Sequence, residues 1–551
     1  MGARRNTFLI GAAALLLAGI APASSQGHDA LSLEGSGAGV ALKEDVYMAT
    51  LTPTARLKAA AMSAVNCVNG MAGPFPCKDV DLLAYLNTNV AVGVTASDIE
   101  GWKDPMTGKE WVIQGHSDAT TFIDVSNPEL PLIFGTLPPA VPSVLWRELE
   151  VYNNHAYIVQ DLVGAGMQIF DLTKLRSALP GVVFTPLDYS RDTSFGRAHT
   201  ITINPDTGFA YVNGSNTCSA GPRMFDLKPN PKVPVFVGCV SQDGYTHDNQ
   251  CVLYNGPDTT YTGREICAMY NEDTLTMFDV TDKAAPVMLS RVTYPGTLRV
   301  DKYTHQGWFT EDQRYILLDD ELDENGTTKT TTYLWNMTDL DSPVLIAPWQ
   351  HQTTCTDHNQ FIIGRFAYQS NYACGLRIMD VSNVAAGTLT EVAYFDTAPA
   401  HDFIPGASDG GDLDGDWANY PYFPSGIVVT SNISKGLFVL RPRLPLPGPT
   451  AVTIASFTAA TRSGRGVALR WRTASEIDTL GFDVWRFAPG GAGVKVNRRL
   501  IPAKAYGGTG GGTYRLVDSR AGTGVTYRYR LQSVSRDGRH TWRATTRVRV
   551  R

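Results

Sequence analysis

A strand-rich unit recurs along this chain, and its period limits the fold more than any other feature. Each copy runs through alternating apolar residues to a bulky residue, then Asp, a hydrophobe and a turn that often holds Pro. The copies read "TTFIDVSNPELPLIFGTL" around Asp124, "MQIFDLTKL" around Asp171, "PRMFDLKPNPKVPVFVG" around Asp226 and "LTMFDVTDKAAPVMLSRV" around Asp279. "TYLWNMTDLDSPVLIAPW" follows around Asn336, then "LRIMDVSNVAAGTLTEVAYF" around Asp380 and a degenerate "GLFVLRPRLP" around Arg441. Successive marks lie 47, 55, 53, 57, 44 and 61 residues apart. Each copy fits two strands joined by a turn whose Asp bonds local backbone. A second two-strand pattern precedes most copies, as in "HTITINPDTGFAYVNG" and "HQGWFTEDQRYILLDD". Four strands per unit and seven units predict an all-β chain, a seven-bladed β-propeller in which each blade is covered by its neighbours.

The ends differ from the repeats. Arg4 and Arg5 precede an apolar run from Phe8 to Ile20 and small residues at Ala21, Ala23 and Ser25, the layout of a secretory signal peptide over 1–25. The run is short for a membrane span, and no later stretch is apolar enough, so the mature chain is expected to be secreted or surface-associated, with the periplasm open. Residues 26–85 read as an extension, with "LTPTARLKAAAMSAV" the best helical stretch, and 86–445 as the propeller. A Pro-rich linker over 446–454 leads to 455–551. There, short alternating strands around Trp471 and "YRYRLQSV" suggest a small β-sandwich. Residues 447–551 hold 19 of the 47 Lys+Arg but only 5 of the 53 Asp+Glu, a net of +14 against −20 for the rest. Such a split fits two domains of different chemistry. For an exported chain it points to a cell-surface polymer or protein, or a small molecule, as partner, rather than nucleic acid.

Export also permits disulfides. The eight cysteines fall into the couples Cys67/Cys77, Cys218/Cys239, Cys251/Cys267 and Cys355/Cys374, each able to staple a local loop. No C-x-x-C is present.

The stretches "GRAHTITINPDTGFAYVNGSNTC", "DGYTHDNQCVLYNGPDTTYTGREICAMYNEDTLTMFDVTDKAAPVMLSRVTYPG" and "YTHQGWFTEDQRYILLDDELDE" resemble the bacterial choice-of-anchor B family with its LVIVD-type repeats. "EVAYFDTAPAHD" and "GLFVLRP" extend the likeness over roughly residues 60–445. The resemblance implies a secreted or surface-displayed propeller and carries no activity with it. The tail resembles fibronectin type III-like modules.

Aligning the inner hairpins sets His199, His247, His305 and His358 at equivalent positions in four consecutive units, with Arg147 and Asp98 in the corresponding places of earlier ones and Glu148 beside them. In a propeller the first strand of each blade lines the central channel, so these side chains are expected to converge. Gathered imidazoles suit a divalent transition metal; the other reading is that each histidine bonds between blades. Two acidic runs offer oxygens for calcium, or else are solvated loops. They are Asp409, Asp412, Asp414 and Asp416 in "DGGDLDGDW", and "DDELDE" from Asp319 to Glu324. His116, His155 and His401 read as structural, and His351 and His540 have no informative context. No G-x-S-x-G elbow, P-loop or H-E-x-x-H motif appears. Two functions therefore stay open: a binding or scaffold module, and a metal-dependent oxidoreductase or hydrolase.

Overall fold

The computed structural model describes residues 61–550, apart from 90–94, 143, 296–302, 325–327, 400–412, 445–451, 462–465, 477–478, 490, 492, 498, 505–510 and 536–539. The signal segment, His401, Asp409 and Asp412 lie outside the described residues. The repeats fold as seven sheets of at least four strands each, antiparallel except where Val182–Val183 joins Leu132–Leu137 in parallel. The first strands are Ala96–Lys103, Arg147–Tyr152, Ile201–Asn204, Asp248–Leu253, Thr304–Phe309, Gln360–Ile363 and Asp416–Tyr420. Each first strand touches that of the next sheet, and the seventh touches the first.

The final sheet is assembled from both ends of the repeat region. Its first three strands come from Asp416 to Pro442, and its fourth is Val80–Leu86, paired antiparallel with Gly436–Pro442. Phe75–Lys78 likewise extends the sixth sheet by pairing with Thr390–Phe395. Residues 71–85, read above as part of an extension, thus belong to the last two sheets. The described end of the expected helical stretch is also extended: Ala61–Met62 pairs with Tyr85 and Leu86. Phe438 packs edge-on to Phe75 at 5.2 Å and stacks on Tyr85 at 4.7 Å, so aromatic burial seals this junction.

Middle strands such as Glu265–Tyr270 are buried at every position. They are covered on both faces by adjacent sheets, which explains their near-continuous apolar sequence. Tyr270 and Met277 of the fourth sheet share one core with Ile316 and Trp335 of the fifth.

The recurring Asp has a local purpose. Asp124, Asp171, Asp226, Asp279 and Asp380 each end a third strand and accept from the backbone N–H two residues on, at 2.9–3.1 Å. Asn336 does the same at 3.0 Å. The side chain stands in for a ladder partner and turns the chain. Just before each mark except Asp171 the register to the fourth strand shifts, for example between Met277 and Phe278 and between Ile378 and Met379. A bulge adds right-handed twist, which a wedge-like sheet requires.

The C-terminal unit is a sandwich. Thr453–Thr461, Val467–Ser475 and Thr513–Asp518 form one sheet, and Thr479–Phe487, Thr526–Ser535 and His540–Arg549 stand side by side in the other, His540–Arg549 at its edge. Trp471, Phe482, Tyr514, Tyr529 and Leu531 share its core. Tyr527 and Tyr529 turn inward, whereas Arg528, Arg547 and Arg549 are exposed. The four disulfides pair Cys67–Cys77, Cys218–Cys239, Cys251–Cys267 and Cys355–Cys374, leaving no free cysteine. They fit an oxidising compartment outside the cytoplasm. No helix of the described residues is long and apolar enough to cross a membrane.

Candidate metal centre

His199, His247 and His358 stand just before the first strands of the third, fourth and sixth sheets, and His305 is the second residue of that of the fifth. Because these strands are neighbours, the imidazoles form a row. Ring centroids of His199 and His247, of His247 and His305, and of His305 and His358 are each 4.3 Å apart. All four are buried.

Three of the rings are oriented through Nδ1. His305 Nδ1 donates to Asp319 Oδ1 at 2.9 Å, and His199 Nδ1 to Asp161 Oδ2 at 3.1 Å. His358 Nδ1 donates to the Trp417 carbonyl at 2.5 Å. An ionised carboxylate and a carbonyl only accept, so the proton sits on Nδ1 and the lone pair on Nε2. Asp319 is itself held by the Gln306 N–H and Gln360 Nε2, both at 3.0 Å. Imidazoles backed in this way are the usual arrangement behind a metal.

Glu321 faces the Nε2 edge. Its Oε2 is 3.8 Å from His305 Nε2 and its Oε1 is 3.7 Å from His358 Nε2. Tyr372 donates to Oε1 at 2.7 Å, and among the described residues Oε2 receives no hydrogen bond. One ligand atom from each of His247, His305 and Glu321 lies within 4.8 Å of the other two. A buried carboxylate beside imidazole lone pairs sets acceptor against acceptor. A shared cation relieves that repulsion, and at bond lengths of about 2.0–2.1 Å it would draw the ligand atoms closer together than they stand here. Burial, then the neighbouring His305, pushes His358 down to about 3, so the proton is a poor candidate for that cation.

Carboxylates stand on the remaining first strands. Asp98, Glu100, Glu148 and Glu150 belong to the first two sheets, and Asp248 follows His247. Trp417 connects the two groups, its carbonyl on His358 and its indole N–H donating to Glu148 Oε1 at 3.1 Å. Burial raises Asp98 to about 6 and Asp248 to about 8, and it pushes Glu100, Glu148 and Glu150 well above the usual carboxylate range.

Arg147 lies apart from the histidines. It is fully buried, and its guanidinium reaches Thr120 Oγ1 at 3.4 Å and the Ser117 carbonyl at 3.5 Å. The first sheet has a register shift between Ala96 and Ile99, the stretch that holds Asp98. Asp98 instead accepts from the Leu149 N–H at 2.9 Å. Asp414 accepts from the next N–H, of Gly415, at 2.9 Å. Asp416 is a buried strand residue whose Oδ1 accepts from Thr397 at 2.7 Å and Thr430 at 3.2 Å. Tyr372, Asp161 and Trp417 were not singled out from sequence, and Glu321 was read only as part of the acidic run, not as a partner of the histidines. Asp319 was within reach: Thr304 pairs with Asp320, so the antiparallel register sets His305 opposite Asp319.

No protein-family model matches the chain, and no curated protein matches it. Solved structures that resemble it include a β-propeller domain of Cps50 (Swd1) from Myceliophteria thermophila. The identity is 10% and the TM-score 0.38, over 60% of this chain and 93% of that one. A periplasmic gluconolactonase, PpgL, of Pseudomonas aeruginosa is 11% identical with TM-score 0.37, over 54% and 87%. A protein from Lactobacillus plantarum is 13% identical with TM-score 0.37, over 76% and 99%.

Proposed function

We propose that the seven sheets are blades of a closed seven-bladed propeller of the choice-of-anchor B type, exported from the cytoplasm, and that His247, His305 and Glu321 hold a divalent transition metal at the mouth of its channel. His358 and His199 flank the site as a further ligand and a ligand-orienting neighbour. The observation that carries this reading is Glu321, a buried carboxylate with one oxygen lacking any donor among the described residues, turned toward imidazoles whose Nδ1 atoms are already committed. Neutral imidazole with one carboxylate suits Zn, Fe, Cu or Ni better than calcium. A metal there would act as a Lewis acid on a bound water or a small ligand entering the channel. Asp319, Asp161 and Trp417 would keep the rings in place, and Tyr372 would hold Glu321. The C-terminal sandwich, of fibronectin type III kind, would add a binding function: its exposed arginines and Trp542 suit an anionic envelope polymer.

Elemental analysis of the purified mature chain tests the reading. The expected result is about one transition metal per chain, lost in His247→Ala/His305→Ala. Metal-free protein, with only a stability change in the double variant, leaves the propeller as a binding or scaffold module whose histidines bond between blades.

A further inference from the structure

The outer face of the second sandwich sheet gathers aromatic rings and guanidiniums with few acids to match them. Thr526–Ser535 turns Tyr527, Tyr529 and Leu531 into the core, so Arg528, Arg530 and Gln532 point the other way. The register sets Trp485 beside Arg530 and Phe487 beside Arg528 on one flank, and Arg547 opposite Arg528 on the other. Trp542 reaches the same face through a register shift between Leu531 and Gln532, which pairs it with Gln532. Shifts of this kind re-aim a side chain. Without it Arg543 would stand opposite Gln532; its Nε instead donates to Ser533 Oγ at 2.8 Å.

The rings lie together. Trp542 is 39% exposed, and its ring centroid is 6.1 Å from that of Trp485 and 6.2 Å from that of Phe487. The Arg530 guanidinium lies over Trp542, 4.0 Å from the centroid, and that of Arg528 over Phe487 at 5.0 Å. Among the described residues this unit pairs Arg486 with Asp518 and Lys495 with Asp483, and it leaves Arg528, Arg530, Arg547 and Arg549 without an acid. Like charges directly opposite destabilise a sheet, and Arg528 against Arg547 is such a pair. An anion held between them turns that cost into attraction.

The charge asks for a polyanion, since residues 447–551 carry a net of +14. The rings narrow its chemistry. The planes of Trp485 and Phe487 meet that of Trp542 at 70° and 61°, and Arg530 covers one face of Trp542. That leaves one ring face at most for a ligand, not the row of platforms on which successive nucleic-acid bases stack. A single aromatic face beside planar guanidinium forks suits a sugar that bears a carboxylate: its apolar ring face lies on the indole, and the carboxylate is held bidentately.

We infer that this face binds an acidic polysaccharide through its uronate residues, with Trp542 as the stacking surface and Arg528, Arg547 and Arg549 as the carboxylate clamps. The inference rests on the reading of the sandwich as a polymer-binding module, and adds to it the face and the ligand class.

The test is affinity electrophoresis of the full mature chain in gels holding polygalacturonate, polyglutamate (carboxylates without sugar) or neutral dextran, with oligo-dT binding followed by fluorescence anisotropy. Polygalacturonate should retard the chain most, and less so as NaCl is added. Trp542→Ala and Arg528→Gln/Arg547→Gln should each weaken that binding about tenfold or more. Each serves if the other fails to fold, which circular dichroism and the thermal midpoint would show. The control is Arg470→Gln/Arg515→Gln, which removes an exposed like pair from the other sheet and should leave binding unchanged. Equal loss in the control, or binding indifferent to Trp542→Ala, would mean diffuse attraction; the polymer reading would survive and this inference would fall. Polyglutamate or oligo-dT bound as tightly as polygalacturonate would also overturn it. So would self-association at low salt relieved by Arg528→Gln/Arg547→Gln, which would give the face to the acidic sheets of a second copy. No retention by any polyanion would remove the polymer reading as well.

Discussion

Asp319→Asn separates orienting a metal ligand from being one. Asp319 Oδ1 holds His305 Nδ1 at 2.9 Å and the Gln306 N–H at 3.0 Å, while Oδ2 accepts from Gln360 Nε2 at 3.0 Å. All three partners donate. Asparagine keeps the shape but turns one acceptor into an NH₂. If that amide takes the Oδ2 place, it meets Gln360 donor to donor. If it takes the other place, His305 loses its anchor. Either way the imidazolate-like push of a carboxylate on Nδ1 is gone. Loss of such a backing group typically lowers metal affinity 10–100-fold, about 1.4–2.7 kcal/mol. Competition against a chelator of known affinity would measure it, with far-UV circular dichroism and the thermal midpoint showing whether the fold persists. An affinity within threefold of wild type in a folded Asp319→Asn protein would refute the claim that this carboxylate supports a metal ligand. Glu321→Gln, at a proposed ligand itself, should cost more than Asp319→Asn.

Acid sensitivity should follow His116, which is fully buried with neither ring nitrogen hydrogen-bonded among the described residues and is held down to about 3 by burial and the Arg147 charge. The unfolded chain takes up that proton near pH 6.5 and the folded chain does not, so stability falls as pH drops through this window. The slope is about 1.4 kcal/mol per unit, or roughly 2 kcal/mol between pH 6.5 and 5. His116→Gln should flatten the profile by that amount in urea titrations at the two pH values, and parallel profiles would count against it. Phe438→Ala, at the junction of the two chain ends, should cost about 3–5 kcal/mol in the same assay. A cost below about 1 kcal/mol, close to that of a surface substitution, would mean that Val80–Leu86 does not seal the seventh sheet. Removing Cys355–Cys374, which spans 19 residues, should cost about 3 kcal/mol, read as a lowered midpoint of the double Ser variant without reductant.

Features that repeat within one unit were legible in the sequence. The Asp that ends each third strand announced its turn because its hydrogen bond is local, from side chain to backbone two residues on. The histidine row followed from equivalence between units, since neighbouring first strands place equivalent residues side by side. What depended on long-range pairing was hidden. Val80–Leu86 pairs with Gly436–Pro442 across most of the chain, and nothing in either segment names the other. Arg147 aligned with the histidines in sequence, but its guanidinium reaches Thr120 and the Ser117 carbonyl of the first sheet, contacts that equivalence between units does not reveal. Burial of "DDELDE" ran against composition: six residues without a basic partner look like a surface loop until neighbouring sheets cover them.

X-ray absorption at the edge of whatever transition metal co-purifies tests the histidine site most directly. The account predicts a first shell of nitrogen and oxygen at about 2.0–2.1 Å if the metal is zinc, with imidazole scattering that diminishes in His247→Ala/His305→Ala. A spectrum without imidazole scattering, or one unchanged in that variant, would place the metal elsewhere and contradict it.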